Sequence, residues 1–494
     1  MAVAAIGLFV FLVGLCVGSF LNVVVYRLPR DLSVWKPTWS FCPRCRATLH
    51  WYDNIPVLSW LLLRARCRHC RQPISAQYPL VEAVTGLAFV LAYHLLFVDG
   101  ARLGVNQPAW PMDVPLLLAW LTLVAALIAC STLDLVSYMV DTRVTDVALA
   151  AGVVLCAIWP RPDFFVARAA TPAAAAAVVA FIIAGLMLWR SARDDAAPDP
   201  DETGADPAGT ENDGVSASSS TPAAILVSLA VLVALTAWLL VAGCYPESSE
   251  SSMVQLAVPI TLLALFVAMI LASGQSREVD AELRAALDAE APAARGVALR
   301  ELLWLTPAIV GGVVTYVAVG QVEAIGGLWQ TIAGWAPLGR LTPAGGAAFA
   351  LHGAILAAAT GWGIRIFFTL AFGREAFGVG DIYILAAAGA VGGWDIALLG
   401  LLVSIPIALL GWIIGLLLKR SSMIPFGPPM ALGFLVALWL NRRAAATAES
   451  YQQDLAAAWR QRPEVVLLGV GLLLVALPVS ILLARLVRRI VEPK

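Results

Sequence analysis

Between Ala2 and Val25 the chain runs for 24 residues without one charged side chain. A helix of ~20 apolar residues is long enough to cross the hydrocarbon core of a bilayer. Inside lipid, only helices and closed barrels satisfy their own backbone hydrogen bonds. Runs of this kind recur to the end of the sequence, and they restrict the chain to a bundle of membrane helices. Composition agrees, because 60% of the 494 residues are hydrophobic and only 13% are charged. Ordinary soluble domains carry about 25% charged residues. The mean hydropathy is +0.84. A net charge of −1 gives no electrostatic footprint for nucleic acid, so none is expected as a partner.

The pattern predicts an all-α polytopic membrane protein of roughly thirteen spans. They fall at 3–25, 79–98, 113–133, 144–160, 168–189, 222–243, 253–273, 302–320, 345–371, 382–393, 395–418, 424–441 and 464–486. The first run has no basic flank and no cleavage site of small residues, so it reads as a retained span. The 382–393 piece is short and rich in Gly and Ala, as in a half-helix or one packed closely against its neighbours. The segment after the first span is strongly basic, with Asp31 and Asp53 its only acids. Basic loops stay in the cytoplasm, which puts the N-terminus outside. Alternation then brings the basic strings near Lys419 and Arg489 to the same side.

The chain divides into a first span (1–26), a cytoplasmic four-cysteine loop (27–78) and a group of helices at 79–160. Segment 161–344 contains an acidic Pro-, Gly- and Ser-rich linker at 193–222, with the composition of disordered chain. Ser276–Glu301 is charged with helical spacing and reads as a cytosolic or interfacial helix. A second group of helices spans 345–441, and a helix and tail occupy 442–494.

Ionisable groups inside apolar runs are costly and tend to mark function. "GVGDIYILAAAGA" sets Asp381 behind Gly378 and Gly380, where an apolar helix begins. Asp is also a good helix N-cap, so the string alone leaves both roles open. The two glycines permit unusual backbone conformations and close approach of another chain, such as an extended peptide. A second carboxylate, Asp134, ends the third span in "STLDLVSYMVD", with Asp141 and Asp146 beyond it. It too can simply mark a helix end near the headgroups. Six predicted spans separate Asp134 from Asp381, an even number, so both fall on the cytoplasmic face. Two carboxyls held close resist simultaneous ionisation and share a proton. One can then activate a water while the other protonates a carbonyl oxygen or leaving amine.

Eight cysteines are present, and Cys16, Cys130, Cys156 and Cys244 are scattered singly in apolar runs. Such residues behave as small core hydrophobes. The other four form two Cys-x-x-Cys pairs, Cys42/Cys45 and Cys67/Cys70, separated by 21 residues. That spacing suits a structural zinc site with four thiolate ligands. Disulfides are the alternative, but a cytoplasmic loop disfavours them. His50 and His69 read as surface residues. Arg64, Arg66, Arg68 and Arg71 suit anionic lipid and topology. The HExxH, GxSxG and P-loop strings are absent, so metalloprotease, serine hydrolase and NTPase readings have no support.

Several motifs together resemble the type IV prepilin peptidases, GxGD-type aspartic membrane proteases. They are "GSFLNVVVYRLPR" (Gly18–Arg30), the block Cys42–Glu82, "STLDLVSYMVDTRVT", "EAFGVGDIYILAAAGA" and "IPFGPPMALG" (Ile424–Gly433), in the family's order. The resemblance implies that Asp134 and Asp381 are the catalytic pair. It implies cleavage of the basic leader of prepilins or pseudopilins at the cytoplasmic face of the bacterial inner membrane, for a pilus or type II secretion system. Many members also methylate the new N-terminus with S-adenosylmethionine, and the cysteine loop lies in the part associated with methylation and substrate handling.

The sequence departs from that pattern in three places. Val140, Asp141 and Thr142 stand where the family has Ile/Leu-Pro-Asp. Tyr383 stands where it often has Lys. The two aspartate motifs are separated by an insertion at roughly 161–344 that typical members lack. The changed positions are compatible with a scaffold that has lost proteolysis. A transporter using paired carboxylates is the other reading, but it predicts carboxyls near the bilayer midplane, whereas both fall at one face.

Overall fold

Apolar runs become helices wherever the structure describes them, because a backbone in lipid must pair with itself. The structure is a computed structural model that describes residues 2–98, 112–137, 140–159, 291–303, 343–375, 377–417 and 425–440. Isolated positions at 260, 261, 305, 306, 310 and 324 are also described. Among these residues the helices are α1 (Ala2–Arg27), α2 (Leu58–Leu62), α3 (Gln77–Tyr93), α4 (Val114–Ser137) and α5 (Thr142–Ile158). They continue with α6 (291–303), α7 (Pro343–Phe372), α8 (Val379–Gly392), α9 (Trp394–Leu417) and α10 (Gly427–Leu440). A π-helical turn, His94–Val98, extends α3.

Among the described residues there is no strand, and five helices are long and apolar enough to cross a membrane. The predicted spans at 168–189, 222–243, 253–273 and 464–486, and most of 302–320, lie outside the described residues. So do the linker 193–222, the tail 442–494, Cys244 and the basic strings near Lys419 and Arg489.

α1 lies along α3, α4 packs against both, and α5 packs on α4, α7 and α8. α8 is apolar on all sides and, apart from Tyr383, buried from Ile382 to Gly392. A helix with no polar face belongs in the middle of a bundle, and α4, α5, α7 and α9 all contact α8. Its crossing with α7 is backbone against backbone. A Cβ added at Gly353 would stand 2.0 Å from the Gly389 carbonyl oxygen, and one at Gly389 would stand 2.3 Å from the Gly353 oxygen. Fourteen residues make a helix only about 21 Å long, shorter than the ~30 Å apolar layer. At least one end of α8 is therefore sunk below the membrane surface.

The loop after α1 is anchored at two points. The Arg27 guanidinium closes α1 by donating to the carbonyls of Ser33, Val34 and Pro37, each at 3.0 Å. The second anchor is mid-loop, where Val57 adopts φ 61°, ψ −50°, a costly conformation for a β-branched residue. Its N–H donates to the buried Glu82 carboxylate of α3 at 2.6 Å, which holds the strained turn in place.

Candidate active site

Asp134 sits in the last turn of α4 and is 7% exposed. Its partner comes from a distant part of the chain. α10 opens Gly427-Pro428-Pro429, and prolines suit a first helical turn because they have no N–H to leave unpaired. The Gly427 N–H is one of the orphan donors at a helix start, and it donates to Asp134 Oδ2 at 2.8 Å. Asp381 is the third residue of α8, after Gly378 at the N-cap. Its carboxyl turns back toward the Gly378 backbone N–H, as the third residue does in a capping box. Each carboxyl thus meets the N–H groups at the start of a helix.

The two helix starts adjoin, because the Phe377 ring just before the Gly378 cap meets Phe426 just before Gly427, with centroids 5.9 Å apart. Aspartates separated by nearly 250 residues of sequence are therefore gathered at one end of the bundle. The basic loop shares that end, because the Arg143 guanidinium beside Asp141 donates to the Leu28 carbonyl at 3.2 Å.

Asp381 is not the N-cap of its helix; Gly378 is, with φ −68° and ψ 145°, a conformation open to any residue. The backbone freedom expected of Gly378 and Gly380 is thus not what they contribute. A Cβ at Gly380 would stand 2.5 Å from Val140 Cβ, so close approach of the chain's own Val140 excludes a side chain there. Gly427, to which the sequence alone assigns no role, is equally confined. A Cβ there would stand 2.9 Å from Asp134 Oδ2. Gly427→Ala is expected to displace that carboxyl and lower any reaction depending on it by about 10²-fold. Thermal unfolding in detergent should change little, and steady-state kinetics measures the effect.

Asp141 occupies the proline position of the family pattern and does different work there. It is the N-cap of α5, accepting from the Arg143 N–H at 2.9 Å and from the Arg143 guanidinium at 2.7 Å. The Arg143 side chain holds the Asp141 carboxyl below its ordinary range. A depressed folded-state value stabilises the fold above the unfolded value of about 3.9. That stability is lost as pH falls through the lower, folded value. Asp141→Ala is expected to cost about 1 kcal/mol at neutral pH. The difference should shrink as pH falls below the unfolded value of about 3.9, when unfolding of both proteins is followed against pH.

The four cysteines form a separate site in the loop. Each Cys-x-x-Cys is followed by an arginine in the left-handed region, Arg46 (φ 55°) and Arg71 (φ 60°), and by a returning N–H···O bond. Cys42 N–H donates to Ala47 and Cys67 N–H to Gln72, both at 2.9 Å. Two matching knuckles result, and all four Sγ atoms lie within 4.8 Å of one another. Cys42 Sγ and Cys70 Sγ are 4.0 Å apart. That is far beyond a disulfide bond and close to the S···S edge of about 3.8 Å in a tetrahedral thiolate shell with 2.3 Å metal–sulfur bonds. The cluster can hold a metal ion. His50, stacked on Tyr52, and His69 are exposed, as expected. Arg68, expected to face lipid, instead donates through two nitrogens to the buried Asp53, at 2.7 and 3.0 Å.

The chain is similar to proteins of known name. Residues 12–96 match the family model described as the bacterial peptidase A24 N-terminal domain. A Myxococcus xanthus protein named prepilin leader peptidase/N-methyltransferase is 46% identical over 147 residues, 30% of this chain and 39% of that protein. A Klebsiella pneumoniae protein of the same name is 43% identical over 132 residues, 26% of this chain and 53% of its own. An Escherichia coli type 4 prepilin-like proteins leader peptide-processing enzyme is 35% identical over 201 residues, covering 36% of this chain and 68% of that one. The matched stretches thus span between 39% and 68% of these relatives' lengths. No solved structure matches the chain.

Proposed function

The chain belongs to the type IV prepilin peptidase family, and on that premise we propose that it removes the basic leader of prepilins or pseudopilins. Asp134 and Asp381 carry the reaction in this reading. The observation that supports it most is the placement of each carboxyl at one of two adjoining helix starts, at the end of the bundle that bears the basic loop. One carboxylate takes a proton from a water molecule, whose oxygen bonds to the scissile carbonyl carbon. The other carboxyl gives its proton to the carbonyl oxygen. When the tetrahedral intermediate collapses, the C–N bond breaks and the nitrogen leaves as an amine with a proton from the pair. Gly378 and Gly380 support the carboxyl of Asp381, the first at the helix cap and the second by admitting Val140.

In this reading the chain crosses the bacterial inner membrane about thirteen times, with the N-terminus outside and the carboxyl pair facing the cytoplasm. The segment 161–344 is an insertion of an even number of spans, which preserves orientation. The metal of the Cys42, Cys45, Cys67 and Cys70 site is zinc in a structural role, since four protein ligands leave no open coordination position. Methylation of the new N-terminus belongs to the same reading, with S-adenosylmethionine supplying the methyl group. A cavity of about 400 Å³ between α1 and the loop is lined by Ser19, Arg27, Trp35, Trp39 and Asn54, among others. Its aromatic faces and polar groups suit an adenosyl ligand.

The test is to incubate the full chain in proteoliposomes with a prepilin bearing a basic leader, and to map the product's N-terminus by mass spectrometry with and without S-adenosylmethionine. A single cut behind the leader is expected, followed by a mass gain of one methyl group. Intact substrate across several prepilins would favour the scaffold instead.

A further inference from the structure

Arg365 lies inside α7, an otherwise apolar membrane helix, with its side chain 9% exposed. A buried cation of this kind is tolerated only with partners, and its partners come from two directions. Nε donates to both carboxylate oxygens of Glu301 on α6, at 3.2 Å each. Nη1 pairs with the Glu375 carboxylate and donates to the Phe377 carbonyl at 2.8 Å. Glu375 and Phe377 belong to the turn that ends at Gly378, the cap of the Asp381 helix.

The contacts continue past that turn. The Phe377 ring meets Phe426 edge-on, with centroids 5.9 Å apart. Phe426 immediately precedes Gly427, the donor to Asp134. A second arm of α6 reaches the same turn, since a Cβ at Gly373 would lie 3.1 Å from the Arg295 guanidinium. Gly373 has φ +72° and its N–H donates to the Thr369 carbonyl, closing α7 with a left-handed residue. α6 lies in segment 161–344, which the proposed reading takes as an insertion.

We propose that α6 is a strut for the aspartate-bearing turn. Through Glu301 it holds Arg365, a positioning residue whose guanidinium fixes Glu375 and the Phe377 carbonyl and thereby sets where Asp381 stands relative to Asp134. The insertion is then part of the active-site support, and the strut rests on the peptidase reading only for its effect on catalysis.

Glu301→Gln keeps the shape of the contact and the Arg365–Glu375 pair, and Arg365→Lys keeps the charge but loses the planar fork. Both full-length variants are compared with wild type in prepilin cleavage and in amide hydrogen exchange. The expected result is a fall of about 10- to 100-fold in kcat for Arg365→Lys and a smaller fall for Glu301→Gln, with KM unchanged. The pH–rate profile should shift because the spacing of the carboxyls changes. Exchange across 374–381 should quicken by about tenfold, while α1 and α3 exchange as in wild type. Wild-type exchange across 374–381 in both variants overturns the strut, whatever their cleavage rate. Faster exchange with wild-type kcat and pH profile overturns the positioning role. Should wild type cleave no prepilin, the peptidase reading fails alone, because the exchange measurement still decides whether α6 supports the turn.

Discussion

Asp381→Asn and Asp134→Asn are each expected to reduce leader cleavage by about 10⁴-fold. Asn has nearly the shape of Asp, so the helix starts that receive the two side chains remain intact. What disappears is the ability to exchange a proton with water or with the scissile carbonyl. The double variant should be hardly worse than either single one, because groups that act as a unit lose their function together. Wild-type activity should follow a bell-shaped pH profile, since the pair needs one proton between its two carboxyls. Quenched time courses on one prepilin measure all four proteins. Cleavage surviving in both single variants would exclude a two-aspartate mechanism.

The second large effect is expected in the cysteine loop. Cys67 is 4% exposed and central to its knuckle, and a four-thiolate site closes only when every one of its ligands is available. Structural zinc contributes about 10–16 kcal/mol of binding energy in small zinc domains. The loop has little apolar core of its own to replace that. Cys67→Ser, or a strong chelator, should therefore unfold residues 40–75 while the helices persist. Metal content should fall from one zinc per chain to none. Limited proteolysis should then cut at the arginines between Arg64 and Arg71, which resist in wild type. A loop that stays protease-resistant without metal would show that the Arg68–Asp53 pair and the Val57–Glu82 contact suffice to hold it.

How much of this was legible in the sequence differs between elements. Helices stand where eight of the predicted spans fall on described residues, five of them long and apolar enough to cross a membrane, and each begins and ends within a few positions of its apolar run. The cysteine knuckles were equally legible, because each is made by neighbours in the chain and their spacing carries the geometry. Asp134 and Asp381 stood out as carboxyls at the edges of apolar runs. Arg365 carried a comparable signal, as a lone cation within the apolar run 345–371. Nothing local to it, however, announces Glu301 or the Phe377 carbonyl. Gly427 carried no such signal, since a glycine before two prolines reads simply as a helix start. Asp141 shows a further limit: its place in the motif marks a departure, but its N-cap bond to Arg143 depends on how α5 begins.

The sequence by itself determined the class of fold, the ladder of membrane helices and the two cysteine knuckles. These follow from local rules, because backbone groups in lipid pair within their own helix and thiols three residues apart share a turn. Only the tertiary structure decided that the Gly427 N–H meets Asp134 across 293 positions of chain, that Val140 covers Gly380, and that Arg365 joins Glu301 of α6 to the Phe377 carbonyl before the aspartate helix. Those contacts depend on which small residues let which helices touch. Helix packing of that kind is a property of several surfaces at once, and no single stretch of sequence contains it.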